Sequence, residues 1–169
     1  FYTMLYIEQE KMLVLDSETC WYKPVFMKEE FINFFENPFI AFSKNETRPF
    51  MSEFTYGVIY NVELALDTKV KNWYLENFMW YYEKKILCDL FDKYGSPFEI
   101  INKIKNESAF KNSGIFEIIL YCAYIYKHNN LYSYNFINIE SELKKHMNTK
   151  QFDNFIKKHT INFMGNCGL

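Results

Sequence analysis

Hydrophobic and polar positions follow two different periods along this chain, and the switches between them mark its elements. Residues 1–10, FYTMLYIEQE, set Met4, Leu5 and the aromatic residues at helical spacing and end in acid, so they read as the tail of an apolar helix. The run KMLVL at 11–15 is of buried-strand type, and a helix feeding straight into a strand is an α/β unit. Residues 27–36 are amphipathic, with Phe31, Phe34 and Phe35 opposed by Lys28, Glu29 and Glu30; Pro38 stops that helix, and a second short strand follows at 39–42. The polar stretch 46–49 reads as a loop, and 56–60 reads as β-rich around Gly57.

The longest apolar-periodic segment is 70–95, helical in its second half, with Gly95 as its natural stop. Ser96-Pro97-Phe98-Glu99 then combines an N-cap serine, proline at the first helical position and glutamate at the third. That is a capping box, and it opens a helix to about residue 105. Ser113 and Gly114 introduce another helix through about Tyr126, ended by Asn129 and Asn130. A strand is expected within 131–139, and short helices at 140–146 and 152–159. With no internal repeat, linker or low-complexity tract, residues 1–169 read as one α/β domain with a helix-rich C-terminal half. The chain opens on Phe1, inside a helical pattern, so an N-terminal part is expected upstream.

Composition narrows the function more than the fold. A chain of 169 residues, 49% hydrophobic and 24% charged, can bury a full core and is not disordered throughout. A net charge of -2 offers no basic surplus to neutralise phosphates along a duplex, so nucleic acid is not the expected partner. Aromatic residues at 21% serve either a core or the walls of a sugar or planar ligand site. Cys20, Cys88, Cys122 and Cys167 are scattered without zinc spacing, which fits reduced structural thiols of a cytoplasmic protein. The most apolar stretch, 115–126, is shorter than a bilayer span and contains Glu117, and no signal peptide is visible.

The candidate chemistry lies in KMLVLDSETCWYKP, where a strand runs into Asp16 and Glu18. Side chains two apart on an extended strand end project to one face, so the two carboxylates converge while Ser17 turns away. Converging carboxylates repel unless a cation holds them; Mg²⁺ or Mn²⁺ takes such hard oxygen ligands and completes its shell with substrate phosphates. The plainer alternative is a solvated acidic turn after a strand.

A strand, two acids one residue apart, a short hydrophobic spacer and then Lys-Pro, here LVLDSETCWYKPV, resembles the metal motif of GT-A-fold glycosyltransferases. The resemblance continues through the strand PFIAFS, the segment NWYLENFMWYYEKKI leading to a long helix, and the helix SGIFEIILYCAYIY, and it covers roughly residues 1–139. It implies a Rossmann-like mixed sheet flanked by helices and a nucleotide-sugar-dependent transferase of capsule or lipopolysaccharide type. In that reading Asp16, Ser17 and Glu18 form the cofactor-binding stretch, Asp16 near ribose and metal and Glu18 as direct ligand of Mn²⁺ or Mg²⁺. The ion acts as a Lewis acid on the departing diphosphate. Glu117 becomes the candidate catalytic carboxylate, acting as base on the acceptor hydroxyl or hydrogen-bonding it, and Trp80, with Trp73, a candidate sugar-stacking residue. The expected partners are a UDP- or GDP-sugar and a glycan or lipid-linked acceptor, with peripheral attachment to the inner face of a membrane as one setting. Against these roles stand plainer ones: Glu117 as an exposed acid on a helix, and the tryptophans as core.

Three other readings compete. The LVLDSET run also resembles the first motif of DEDD-type 3′-5′ exonucleases, but Asn61 is followed by Ala65 where a downstream aspartate is required, and Lys-Pro has no role there. A haloacid-dehalogenase-type phosphatase needs Asp-Gly at the second acid. A non-catalytic sugar-binding or scaffold domain on the same fold is the third.

Overall fold

The computed structural model describes residues 2–15, 19–21, 26–47, 52–74, 79–139 and 164–166. These form a mixed α/β structure whose strands fall into small sheets beside a helical core. Helix α1 (Tyr2–Tyr6) leads to strand β1 (Lys11–Leu15), and β2 (Thr19–Trp21) follows. Helix α2 (Met27–Glu36) ends before Pro38, and β3 (Phe39–Lys44) comes next. Helix α3 (Glu53–Leu66) is followed by β4 (Asn72–Trp73), β5 (Met79–Glu83), α4 (Lys84–Tyr94) and α5 (Pro97–Glu107). Helix α6 (Glu117–Lys127), β6 (Asn135–Asn138) and β7 (Met164–Asn166) complete the order.

Strand β1 pairs antiparallel with β5, from Lys11 opposite Glu83 to Leu15 opposite Met79. Strand β3 is the centre of a second sheet, antiparallel to β4 and parallel to β6. A third pairing joins β2 to β7. The sheet is thus mixed, as expected, but divided among the described residues rather than continuous.

Helix α6 is the hub. Every residue from Ile118 to Ile125 is buried, the signature of a helix enclosed on all sides, and it packs against α3 and α4. Glu117 and Lys127 mark its two exposed ends. A smaller cluster forms where α2 meets β5: Phe34 stacks on Tyr81 at a ring-centroid separation of 3.5 Å, with Phe31, Phe35 and Phe39 around them.

The region 56–60 is a correction, since it lies inside α3 and not in a strand. Ser52 caps this helix, its hydroxyl accepting from the Thr55 N–H at 3.1 Å. Positions 57, 61 and 65 and positions 58, 62 and 66 are all buried at helical spacing, while Tyr56 and Tyr60 stay exposed on either side of buried Val58, which a strand's period of two does not allow. The apparent β content came from Val58 and Ile59, whose branched side chains face the core. The expected helices at 140–146 and 152–159 lie outside the described residues. The capping box at Ser96 is formed: its N–H donates to Glu99 Oε2 at 2.7 Å, and the Glu99 N–H donates to Ser96 Oγ. The Ser96 hydroxyl, which also donates to Glu99 Oε2, and then the Ser96 N–H hold the Glu99 carboxyl below its ordinary pKa.

Candidate functional site

Asp16, Ser17 and Glu18 lie outside the described residues; what the structure shows is the strand that leads to them. In β1, Met12 is buried, Leu13 packs into the cluster around Phe34, and Val14 packs against the main core. Val14 stands opposite Trp80 in the β1–β5 register.

Trp80 is half-buried and packs against the main core. The cavity beside it, shared with Ile118, Tyr121 and Tyr134, has a volume of about 30 Å³, room for a water molecule and not for a sugar ring. Trp73 is buried in the core. Stacking on a sugar can therefore involve only the open part of Trp80.

Glu117 opens α6 and is exposed. Its place in the first turn is electrostatically favourable for an acid, because the helix dipole presents partial positive charge there. Its charge reaches Tyr82, whose hydroxyl is pushed above its ordinary pKa first by burial, then by Cys122 and by Glu117. Since Ile118 lines the same cavity as Trp80, the start of α6 and the start of β5 stand together.

Behind them lies a polar group that no sequence pattern announced. The Tyr121 hydroxyl accepts from the Glu83 N–H at 2.9 Å, and the Tyr134 hydroxyl donates to Glu83 Oε1 at 2.9 Å. Burial, then the Tyr121 and Glu83 charges, raise the Tyr134 pKa, so its proton stays on the phenol as donor. This bracket fixes the end of β5 against α6 and β6. The excess of tyrosine was its only trace in the sequence.

Among the described residues no group of three or more His, Cys, Asp or Glu side chains gathers as a metal centre. His128 follows the last residue of α6, so it stands about 16 Å along the helix axis from Glu117. It lies 3.4 Å from both the Tyr94 hydroxyl and Lys93 Nζ, and burial, then Lys93 and Lys127, lower its pKa. His146 and His159 lie outside the described residues.

Asn61, weighed above against an exonuclease motif, is fully buried and committed to packing. Its amide donates to the Phe110 and Gly114 carbonyls, and its oxygen accepts from the Ser108 hydroxyl. Cys88 and Cys122 are free thiols; burial pushes the Cys122 thiol well above its ordinary pKa, which leaves it inert at neutral pH. No helix among the described residues is long and apolar enough to cross a membrane. The chain matches no protein-family model, no curated protein and no solved structure.

Proposed function

We propose that this chain is a metal-dependent glycosyltransferase domain of GT-A-like fold, moving a sugar from a UDP- or GDP-sugar to a glycan or lipid-linked acceptor. One observation carries the reading. Strand β1 runs toward the acid pair through Val14, Val14 faces Trp80, and Trp80 lines one cavity with Ile118, the residue after Glu117. The end of β1, the Trp80 ring and the start of α6 thus lie together, and in this reading the residues that follow β1 bring their acids to them.

In this reading Asp16 and Glu18 hold Mn²⁺ or Mg²⁺, which when bound neutralises charge developing on the departing diphosphate. Glu117 orients the acceptor hydroxyl by accepting its hydrogen bond, and its exposure leaves it within reach of an acceptor from solvent. Trp80 presents its open edge to the sugar. The exonuclease reading loses support because Asn61 is enclosed, away from any solvent-facing site.

Calorimetric titration of a panel of UDP- and GDP-sugars in Mn²⁺ tests this. Binding is expected with Mn²⁺ and not with EDTA, and Glu18→Ala is expected to abolish it while the circular dichroism spectrum stays unchanged. Metal-independent binding, or binding that survives Glu18→Ala, refutes the assignment. Absence of any nucleotide-sugar binding supports the scaffold alternative, and degradation of single-stranded DNA the exonuclease.

A further inference from the structure

The structure has a second, larger opening besides the Trp80 cavity. It lies between the 3₁₀ turn after β3, the connection from α3 to β4, and the C-terminal end of α6, and has a volume of about 540 Å³. Lys44, Lys69, Lys71 and Lys127 line it, with Glu46 the one acid among the described residues of its wall and Tyr126 as an aromatic side. Four cations against one anion on a concave surface are unusual in a chain whose net charge is -2.

The local structure explains why these lysines converge. Asp67 ends α3 in a left-handed conformation at φ 46°, which turns the chain back sharply. Glu63 then pins the returning segment, accepting from the Val70 N–H at 2.9 Å and from Lys69 Nζ at 2.8 Å. Asn45 ties the turn after β3 to the same segment, its N–H donating to the Lys71 carbonyl at 2.9 Å and its side chain to the Val70 carbonyl at 2.8 Å. Lys127 is fixed by donating to the Leu66 and Asp67 carbonyls, so its ammonium is held in place by dipoles. Lys69 is largely offset by Glu63. Lys71 makes no ion pair among the described residues and is exposed.

We propose that this pocket binds a small phosphate-bearing ligand, its phosphate held by Lys71 and Lys127 and its body against Tyr126. One held and one exposed ammonium group at a partly enclosed pocket favour a multiply charged, compact anion over a carboxylate. Tyr74 lines both this pocket and the Trp80 cavity, so the two regions adjoin. The site uses neither Asp16 nor Glu18 and stands whether or not the chain transfers sugars.

The test uses the full chain at low salt with EDTA, titrated with inorganic pyrophosphate, and in parallel floated with phosphatidylcholine vesicles with and without phosphatidic acid. Lys71→Glu should weaken binding at least about tenfold, since it both removes and reverses a phosphate contact. Lys105→Glu, at an exposed position of α5 outside the pocket, is the charge-matched control. Lys71 is exposed, so the variant should fold, as circular dichroism would verify. Pyrophosphate binding lost in Lys71→Glu and kept in Lys105→Glu and Glu18→Ala identifies a soluble phosphorylated ligand. The same pattern only on phosphatidic acid vesicles identifies a lipid headgroup as the source. Binding of neither probe, or equal loss in both lysine variants, overturns the proposal; loss in Glu18→Ala does so too, by making the anion site part of the metal site.

Discussion

Asn61 shows how one polar side chain can decide a packing arrangement. It sits in the middle of α3 at zero exposure and satisfies its oxygen and its amide on the segment between α5 and α6. A buried amide is costly unless paired, and this one is paired on all sides, so it selects a single docking of helix on loop. Asn61→Ala leaves the Ser108 hydroxyl and the Phe110 and Gly114 carbonyls short of a partner. The expected loss is about 2–4 kcal/mol in urea unfolding, with an unchanged m-value. A loss below about 0.5 kcal/mol would show that water replaces the amide. The acids of the candidate site belong to the same scale but behave oppositely: Glu117 is exposed, so its removal should touch function and leave stability near that of the parent.

Between elements, Gly57 lets α3 come close to the 3₁₀ turn Lys111–Ser113. A Cβ at position 57 would lie 2.0 Å from Ser113 Oγ and 2.5 Å from Ser113 Cβ. Alanine is better than glycine in a helix by about 1 kcal/mol, but overpacking of this kind costs about 1–3 kcal/mol. Gly57→Ala should therefore lower the melting temperature, and Gly57→Ala with Ser113→Gly should recover most of the loss. A stabilised single variant would mean the turn yields freely. This contact also explains what the sequence could and could not convey. Elements bounded by local chemistry were legible: β1, α2 with its stop before Pro38, and the capping box that starts α5 all depend on residues a few positions apart. Helix α3 was not, because Gly57 and Asn61 weaken a helical pattern locally and are justified only by partners some fifty residues away. The Glu83 bracket and the lysine pocket were hidden for the same reason, being assembled from distant segments.

At the scale of the whole molecule, α6 organises everything else. Its buried length separates the end that begins with Glu117, where Ile118 shares a cavity with Trp80, from a basic end, where Lys127 joins the lysines around the α3–β4 turn. The two ends stand about 15 Å apart along the helix. A rigid, enclosed helix is a sound base for such sites, since local opening is least probable where burial is greatest. The account rests on the acid end holding a divalent cation together with a nucleotide sugar. Crystals grown with MnCl₂ and a UDP- or GDP-sugar, measured at the manganese absorption edge, test that most directly. The account predicts one anomalous peak within coordination distance of Asp16 and Glu18 carboxylate oxygens, bridged to the diphosphate. A peak elsewhere, or those two carboxylates diverging into solvent with the nucleotide bound, would contradict it.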